Sequence, residues 1–239
     1  MREHKLSHTT QALVAFALAL GFVSLPQGLP SDARSAAAAG PLTGRARVID
    51  GDTIAIGETH FRLEGIDAPE AAQRCGRRWF GTWACGAVAT TALTNRLASK
   101  PVTCMPRGQD KYARTLAVCF VDGRDVNAWM VRQGYAWAFV RYSARYVKEE
   151  AAAKAEGRGI WQGPALPAWE FRAKRWAMAQ PEAPAGCTIK GNVTRNGRIY
   201  HMPWSPWYAQ IRMASDKGKR WFCTEAEAIA AGWRPVAAR

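Results

Sequence analysis

The 239-residue chain contains no Cys-x-x-Cys pair, and its four histidines do not cluster with its six cysteines, so the ligand spacing of a zinc site is missing. Acids are scarce as well. Nineteen Asp and Glu face 33 Lys and Arg, leaving a net charge of +14 at pH 7. A surplus of that size attracts phosphate backbones without sequence preference, and it would equally favour an anionic cell envelope. Long hydrophobic runs are almost absent. Residues 12–25 form the main one, which is too short to span a bilayer comfortably, and nothing later is apolar enough to do so. No cysteine lies near that run, which excludes a lipoprotein acylation site. No pair of glycosidase carboxylates is identifiable either, so a role in surface-polysaccharide handling has no motif behind it.

What is present begins with a targeting pattern. Arg2, His4, Lys5 and His8 give a basic start, the apolar run follows, and Ala36 to Ala39 offer small residues for cleavage. We therefore expect residues 1–39 to be a signal peptide and leader, and the mature protein to be secreted or periplasmic with no membrane span. That segment carries three Lys or Arg against two acids, so its loss takes the charge from +14 to +13. All six cysteines come after it, and an even number in an oxidising compartment reads as three disulfides. Sequence does not fix their connectivity. Cys104 and Cys119 lie on two apolar runs flanking a loop at Asp110, where a bond would pin that loop. Cys75 with Cys85, and Cys187 with Cys223, would staple the other two regions.

Three segments carry chemistry: Asp50-Gly51-Asp52-Thr53, Phe61 to Glu70, and Asp110-Lys111-Tyr112-Ala113-Arg114. Asp-Gly alone is common turn chemistry, an arginine between Phe61 and Leu63 suits any half-buried strand, and Pro69-Glu70 could merely open a helix. Their conjunction has no structural need. Carboxylates supply hard oxygens for a divalent cation, and guanidiniums hold phosphate oxygens in a bidentate fork. In this order the segments resemble the thermonuclease (staphylococcal nuclease) family over roughly residues 45–161. The resemblance implies calcium held by Asp52, Asp67 and the carbonyl of Ala68, with Asp50 nearby. It further implies Arg62 and Arg114 as phosphate clamps and Glu70 as the catalytic carboxylate. Lys111, Tyr112 and Tyr142 would touch the substrate. The chain departs from the family at Ala113, where glycine is usual, and at Val140, where a second tyrosine is usual.

Residues 45–49, 53–56 and 60–66 alternate apolar and polar positions between Asp-Gly and Gly-Glu turns, which predicts a three-strand meander. Helical spacing over 80–97 stops at Lys100-Pro101, and strands resume at 102–105 and 115–121. Asp125 should cap a helix over 126–133, with Gly134 closing it. A third helix is expected over 142–156. This gives an α+β, mainly β chain: a five-stranded OB-fold barrel with about three helices, which is also the fold the resemblance implies. A helical extension follows over 162–178, carrying Trp169, Phe171 and Trp176, then a linker over 179–186.

Residues 187–239 form a small disulfide-stabilised C-terminal module that resembles the "sunset" modules appended to some exported nucleases. Its Trp204, Trp207, Tyr208 and Trp221 read as a compact core rather than a sugar platform, because small domains need large residues inside. The expectation is a monomeric, secreted, calcium-dependent endonuclease, a hydrolase of DNA and RNA with low sequence specificity, with envelope contact through the module. The alternatives are a catalytically inactive nucleic-acid-binding barrel and a surface-polysaccharide-associated protein.

Overall fold

A computed structural model of the chain describes residues 40–110, 114–213 and 218–236. The expected signal peptide and the contacts of Lys111 and Tyr112 lie outside the described residues. Strand β1 (Leu42–Val48) turns at Asp50-Gly51 into β2 (Thr53–Ile56), and Gly57 carries the chain on into β3 (Thr59–Leu63). The expected third strand ran on to residue 66. Instead, Gly65 at φ +77° kinks the chain, so Ile66–Asp67 forms a separate β4. A short ladder of β5 (Cys75–Gly76) and β6 (Thr82–Trp83) precedes α1 (Cys85–Leu97). Helix α1 therefore starts five residues later than its periodicity predicted, because residues 80–84 close this ladder beside the Cys75–Cys85 disulfide.

Strands β7 (Pro101–Gln109) and β8 (Thr115–Val121) pair antiparallel with Cys104 opposite Cys119, and these two residues are disulfide-bonded. Then come β9 (Arg124–Asp125), α2 (Val126–Arg132), β10 (Trp137–Ala138), α3 (Val147–Ala155) and α4 (Ala168–Ala179). The Asp125 carboxylate accepts from the Ala128 amide at 2.8 Å, as an N-cap should, and Gly134 at φ +71° ends that turn. Helix α3 begins five residues later than expected. Residues 139–143 form turns instead, and Tyr146 buries its ring while donating to Asp125 at 3.1 Å.

Strands β1, β2, β3, β8 and β7 close a five-stranded barrel, the final edge being the parallel β3–β8 pairing. Its interior is filled by Ile54, Phe61, Leu63, Val102, Leu93 and Met130, among others. Buried Asn127 locks the closure: its amide donates to the carbonyls of Glu64 (2.9 Å) and Ala117 (3.1 Å), and its oxygen accepts from the Cys119 amide at 3.2 Å. Every polar atom of that side chain is satisfied, as burial demands.

The C-terminal part folds as β11 (Ile189–Thr194), β12 (Gly197–His201), β13 (Arg220–Phe222), α5 (Glu225–Ala230) and β14 (Arg234–Pro235), with sheet order β13-β11-β12-β14. The Cys187–Cys223 disulfide ties the segment just before β11 to the end of β13, and the Thr224 hydroxyl caps α5 by accepting from the Glu227 amide at 3.1 Å. Tyr208 is buried, while Trp204, Trp207 and Trp221 are half-buried. Buried Lys190 donates to the carbonyls of Tyr208 (3.3 Å) and Ile211 (3.0 Å), with its ammonium 4.2 Å from the Tyr208 ring centre. Among the described residues no helix is long and apolar enough to cross a membrane.

One titration in this module sets a pH dependence. His201 is 5 % exposed, bonded to the Ser205 hydroxyl at 3.2 Å, and burial lowers its pKa to about 4. A base whose folded pKa lies below its unfolded value near 6.5 takes up its proton more readily unfolded. Stability is therefore full above pH ~6.5 and falls as pH drops toward 4, by about 2 kcal/mol at pH 5. Thermal melts between pH 7 and 5 should fall more steeply for the wild type than for His201→Gln, and equal slopes would refute this assignment.

Candidate active site

The turn Asp50-Gly51 places Asp52 at the head of β2, where Thr53 lies in register with Arg62 on β3. Asp50 shapes this turn by accepting from the Asp52 amide at 3.1 Å. Asp52 is buried, and its carboxylate receives the Ala68 amide (2.8 Å), the Thr53 hydroxyl (3.3 Å) and Arg62 Nη1. The other guanidinium nitrogen, Nη2, donates to Asp67 Oδ1 at 2.7 Å, so Arg62 bridges the two aspartates. Asp67 is 0 % exposed, on β4, and is held from behind by the pairing of β4 with β10.

Glu70 is half-buried beside them. Its amide donates to Gln73 Oε1 at 3.2 Å, its carbonyl accepts the Gln73 amide at 2.7 Å, and Gln73 Nε2 donates to the Leu166 carbonyl at 2.6 Å. Gly86, in the first turn of α1, lies so close to the Glu70 carbonyl that any Cβ would collide with it. Burial pushes the Glu70 carboxyl up to about 8 against the pull of Arg172. Burial also raises Asp52, against the opposing charge of Arg62. For Arg62 burial works the other way, yet Asp52 and Asp67 hold its charge firmly.

Arg172 is the site residue that the sequence reading missed. It projects from α4 with Nη1 and Nη2 donating to Asp67 Oδ1 (3.0 Å) and Oδ2 (2.8 Å), while Nη1 also donates to Glu70 Oε1 at 2.7 Å. A signal was there: Trp169, Arg172 and Trp176 share one helix face, and a lone arginine amid an apolar stripe is out of place unless it meets a carboxylate. Gln73 was missed too, having no local pattern to mark it.

Arg114 lies on the Asp110 loop. It pairs with Asp110 across its own loop, with Nε donating to Oδ2 at 2.7 Å and its amide to Oδ1 at 3.0 Å. Tyr142 is 71 % exposed, 4.9 Å from the Phe139 ring, just beyond β10.

A closed five-stranded barrel in which Arg62 of β3 bridges buried aspartates at the head of β2 and on β4 belongs to the nuclease-type OB folds. The chain is a member of the staphylococcal nuclease homologue family, whose pattern it matches over residues 60–163. Residues 172–235 match a second family, ArfC. The chain is 39 % identical over 130 residues to the succinoglycan biosynthesis protein ExoI of Rhizobium meliloti (strain 1021), covering 53 % of this chain and 68 % of that protein. It is 34 % identical over 137 residues to an uncharacterized endonuclease of Escherichia coli O157:H7 (54 % and 83 %), and 33 % identical over 122 residues to one of Haemophilus influenzae (48 % and 63 %).

Proposed function

We propose that this protein is a secreted or periplasmic endonuclease that hydrolyses phosphodiester bonds of DNA and RNA with low sequence specificity, acting as a monomer. The observation that carries the reading is the bridged pair Asp52–Arg62–Asp67 with Glu70 beside it. Glu70 would accept a proton from the attacking water, and its raised pKa, near 8, suits a base working close to neutrality. Arg62 and Arg114 would hold the phosphoryl oxygens and offset the charge that builds on them. Lys111, Tyr112 and Tyr142 would bind the flanking nucleotide.

The donor set suits a hard divalent cation such as calcium: Asp52, Asp67 and the Ala68 carbonyl offer only oxygen. Among the described residues there is no ready cluster of three or more His, Cys, Asp or Glu side chains, so the carbonyl and water would complete the set. When bound, such an ion polarises a phosphoryl oxygen. Calcium should support turnover and magnesium, with its tighter octahedron, should support less. Plasmid DNA and RNA incubated with the purified mature protein, with calcium or with chelator, test all of this. Undiminished cleavage in excess chelator would reject the metal-assisted reading, and no cleavage under any condition would favour the silent binding barrel. The rhizobial relative's name motivates a parallel incubation with succinoglycan.

The hairpin after Glu70 adds a substrate surface. Trp79 and Phe80 at its tip are 77 % and 89 % exposed, Arg77 and Arg78 directly precede them, and the Cys75–Cys85 disulfide fixes its base. Exposed aromatics beside arginines suit stacking on unpaired bases, worth roughly 1–3 kcal/mol each. Replacing both Trp79 and Phe80 by alanine should raise KM for single-stranded DNA about thirtyfold or more and leave kcat within about twofold. Steady-state kinetics showing an unchanged KM would remove the hairpin from the substrate path.

A further inference from the structure

Helix α4 begins beyond the residues matched by the nuclease family, yet it delivers a charged group into the carboxylate cluster. It is anchored at both ends. Near its start, Trp169 stacks on Phe139 (ring centres 5.4 Å apart) and meets Trp137 edge-on at 6.2 Å. Further along, Trp176 lies 6.2 Å from Trp204, and Arg175 Nε donates to the Pro203 carbonyl at 3.1 Å. Trp169 thus belongs to the small core around Trp83, Trp137 and Ile160, and Trp176 to the core of the C-terminal module. Arg172 sits between these anchors, so the helix backbone is fixed and the arginine side chain is the part able to move.

Its guanidinium makes the two-pronged contact with Asp67 that carboxylates make best with arginine, and it reaches Glu70 as well. Asp67 therefore has guanidinium donors on both oxygens: Oδ1 takes Arg62 and Arg172, and Oδ2 takes Arg172. A divalent ion ligated by Asp67 would need one of these oxygens and would sit beside a fixed positive charge in a poorly hydrated place, where like charges repel strongly. Arg62 can keep its bond to Asp52 while a cation binds. Arg172 has no second anchor among the metal-ligand candidates, since its other partner is Glu70.

We propose that Arg172 is the resident cation of this site, and that a divalent ion binds only by displacing its guanidinium from Asp67. The proposal rests on the reading of Asp52 and Asp67 as cation ligands. In the absence of the ion, Arg172 neutralises buried Asp67 and half-buried Glu70, which would otherwise repel one another and weaken the fold. Its presence lowers the affinity for the ion. The same chain thus gains a stable metal-free form and a higher threshold for metal loading, through one residue contributed from outside the barrel.

The test is calcium titration by isothermal calorimetry at constant ionic strength, with thermal melts in chelator and in calcium, on the full mature chain and its Arg172→Gln and Arg172→Lys variants. Arg172→Gln should bind calcium at least tenfold more tightly than the wild type, melt lower in chelator, and recover more of its melting temperature on adding calcium. Arg172→Lys keeps the charge without the fork and should fall between the two. If Arg172→Gln is folded by circular dichroism and its calcium affinity equals or falls below that of the wild type, the proposal is overturned. If that variant fails to fold, unchanged affinity in a folded Arg172→Lys overturns it just as well. Binding by neither protein would remove the cation reading together with the proposal. Competition with no cleavage of DNA or RNA would sink the nuclease reading alone.

Discussion

Replacing Arg62 by lysine should lower kcat by about 10² or more, with KM changed much less. Arg62 spans two buried carboxylates at once, Nη1 on Asp52 and Nη2 on Asp67, and a planar fork is the only cationic side chain that can do so. An ammonium can serve one of them. The orientation that would present the guanidinium to a phosphoryl group is then lost together with one hydrogen bond, and a single preorganised donor is worth about 10²-fold or more in rate. Glu70→Gln should cut turnover as steeply, since an amide cannot take the proton of the attacking water. Because Arg62→Lys also leaves a buried aspartate less well paired, both variants need their melting temperatures measured and their kinetics run well below them. A folded Glu70→Gln or Arg62→Lys protein with wild-type kcat would mean that the chemistry lies elsewhere.

The barrel was legible because its turns are written in Asp-Gly and Gly-Glu and its strands alternate over several residues. The same regularity brings Asp52 next to Arg62: one turn after β1 and the register of Thr53 with Arg62 are enough. What local pattern could not show was where packing or a covalent bond overrides periodicity. Residues 80–84 have helical spacing with α1 but are drawn into the β5–β6 ladder, and residues 139–143 turn on the Phe139 carbonyl before the part-buried Tyr146–Asp125 bond. Nor could it show long-range partners. Arg172 meets Asp67 across 105 residues of sequence, and Gln73 meets the Leu166 carbonyl across 93. Arg114 illustrates the opposite case. Its motif marked it for the phosphate, while in this structure its guanidinium is held by Asp110, so substrate would have to compete with that pair.

Removing the bond between β7 and β8 should have the largest effect on stability. Cys104 and Cys119 are both fully buried, directly opposite in register, and their disulfide closes a loop with a sequence separation of 15. The chain-entropy argument gives about 3 kcal/mol for a loop of this length, which corresponds to a fall in melting temperature of roughly 6–12 °C for a domain of this size. The replacement Cys104→Ala with Cys119→Ala is preferable to reductant, because the buried bond is shielded and the other two disulfides would be reduced with it. The strands carry the Asp110–Arg114 loop between them, and β7 is already irregular between Pro106 and Gly108, so losing the bond frees the segment that positions Arg114. Misplacing a clamping group costs rate, whereas binding relies on charge spread over the whole basic surface. The double variant should therefore lose several-fold in kcat at a temperature where it is fully folded, with its affinity for DNA changed by less than about twofold. An unchanged melting temperature would show that the ladder alone carries this part of the barrel, and equal losses of binding and turnover would break the link between the bond and Arg114.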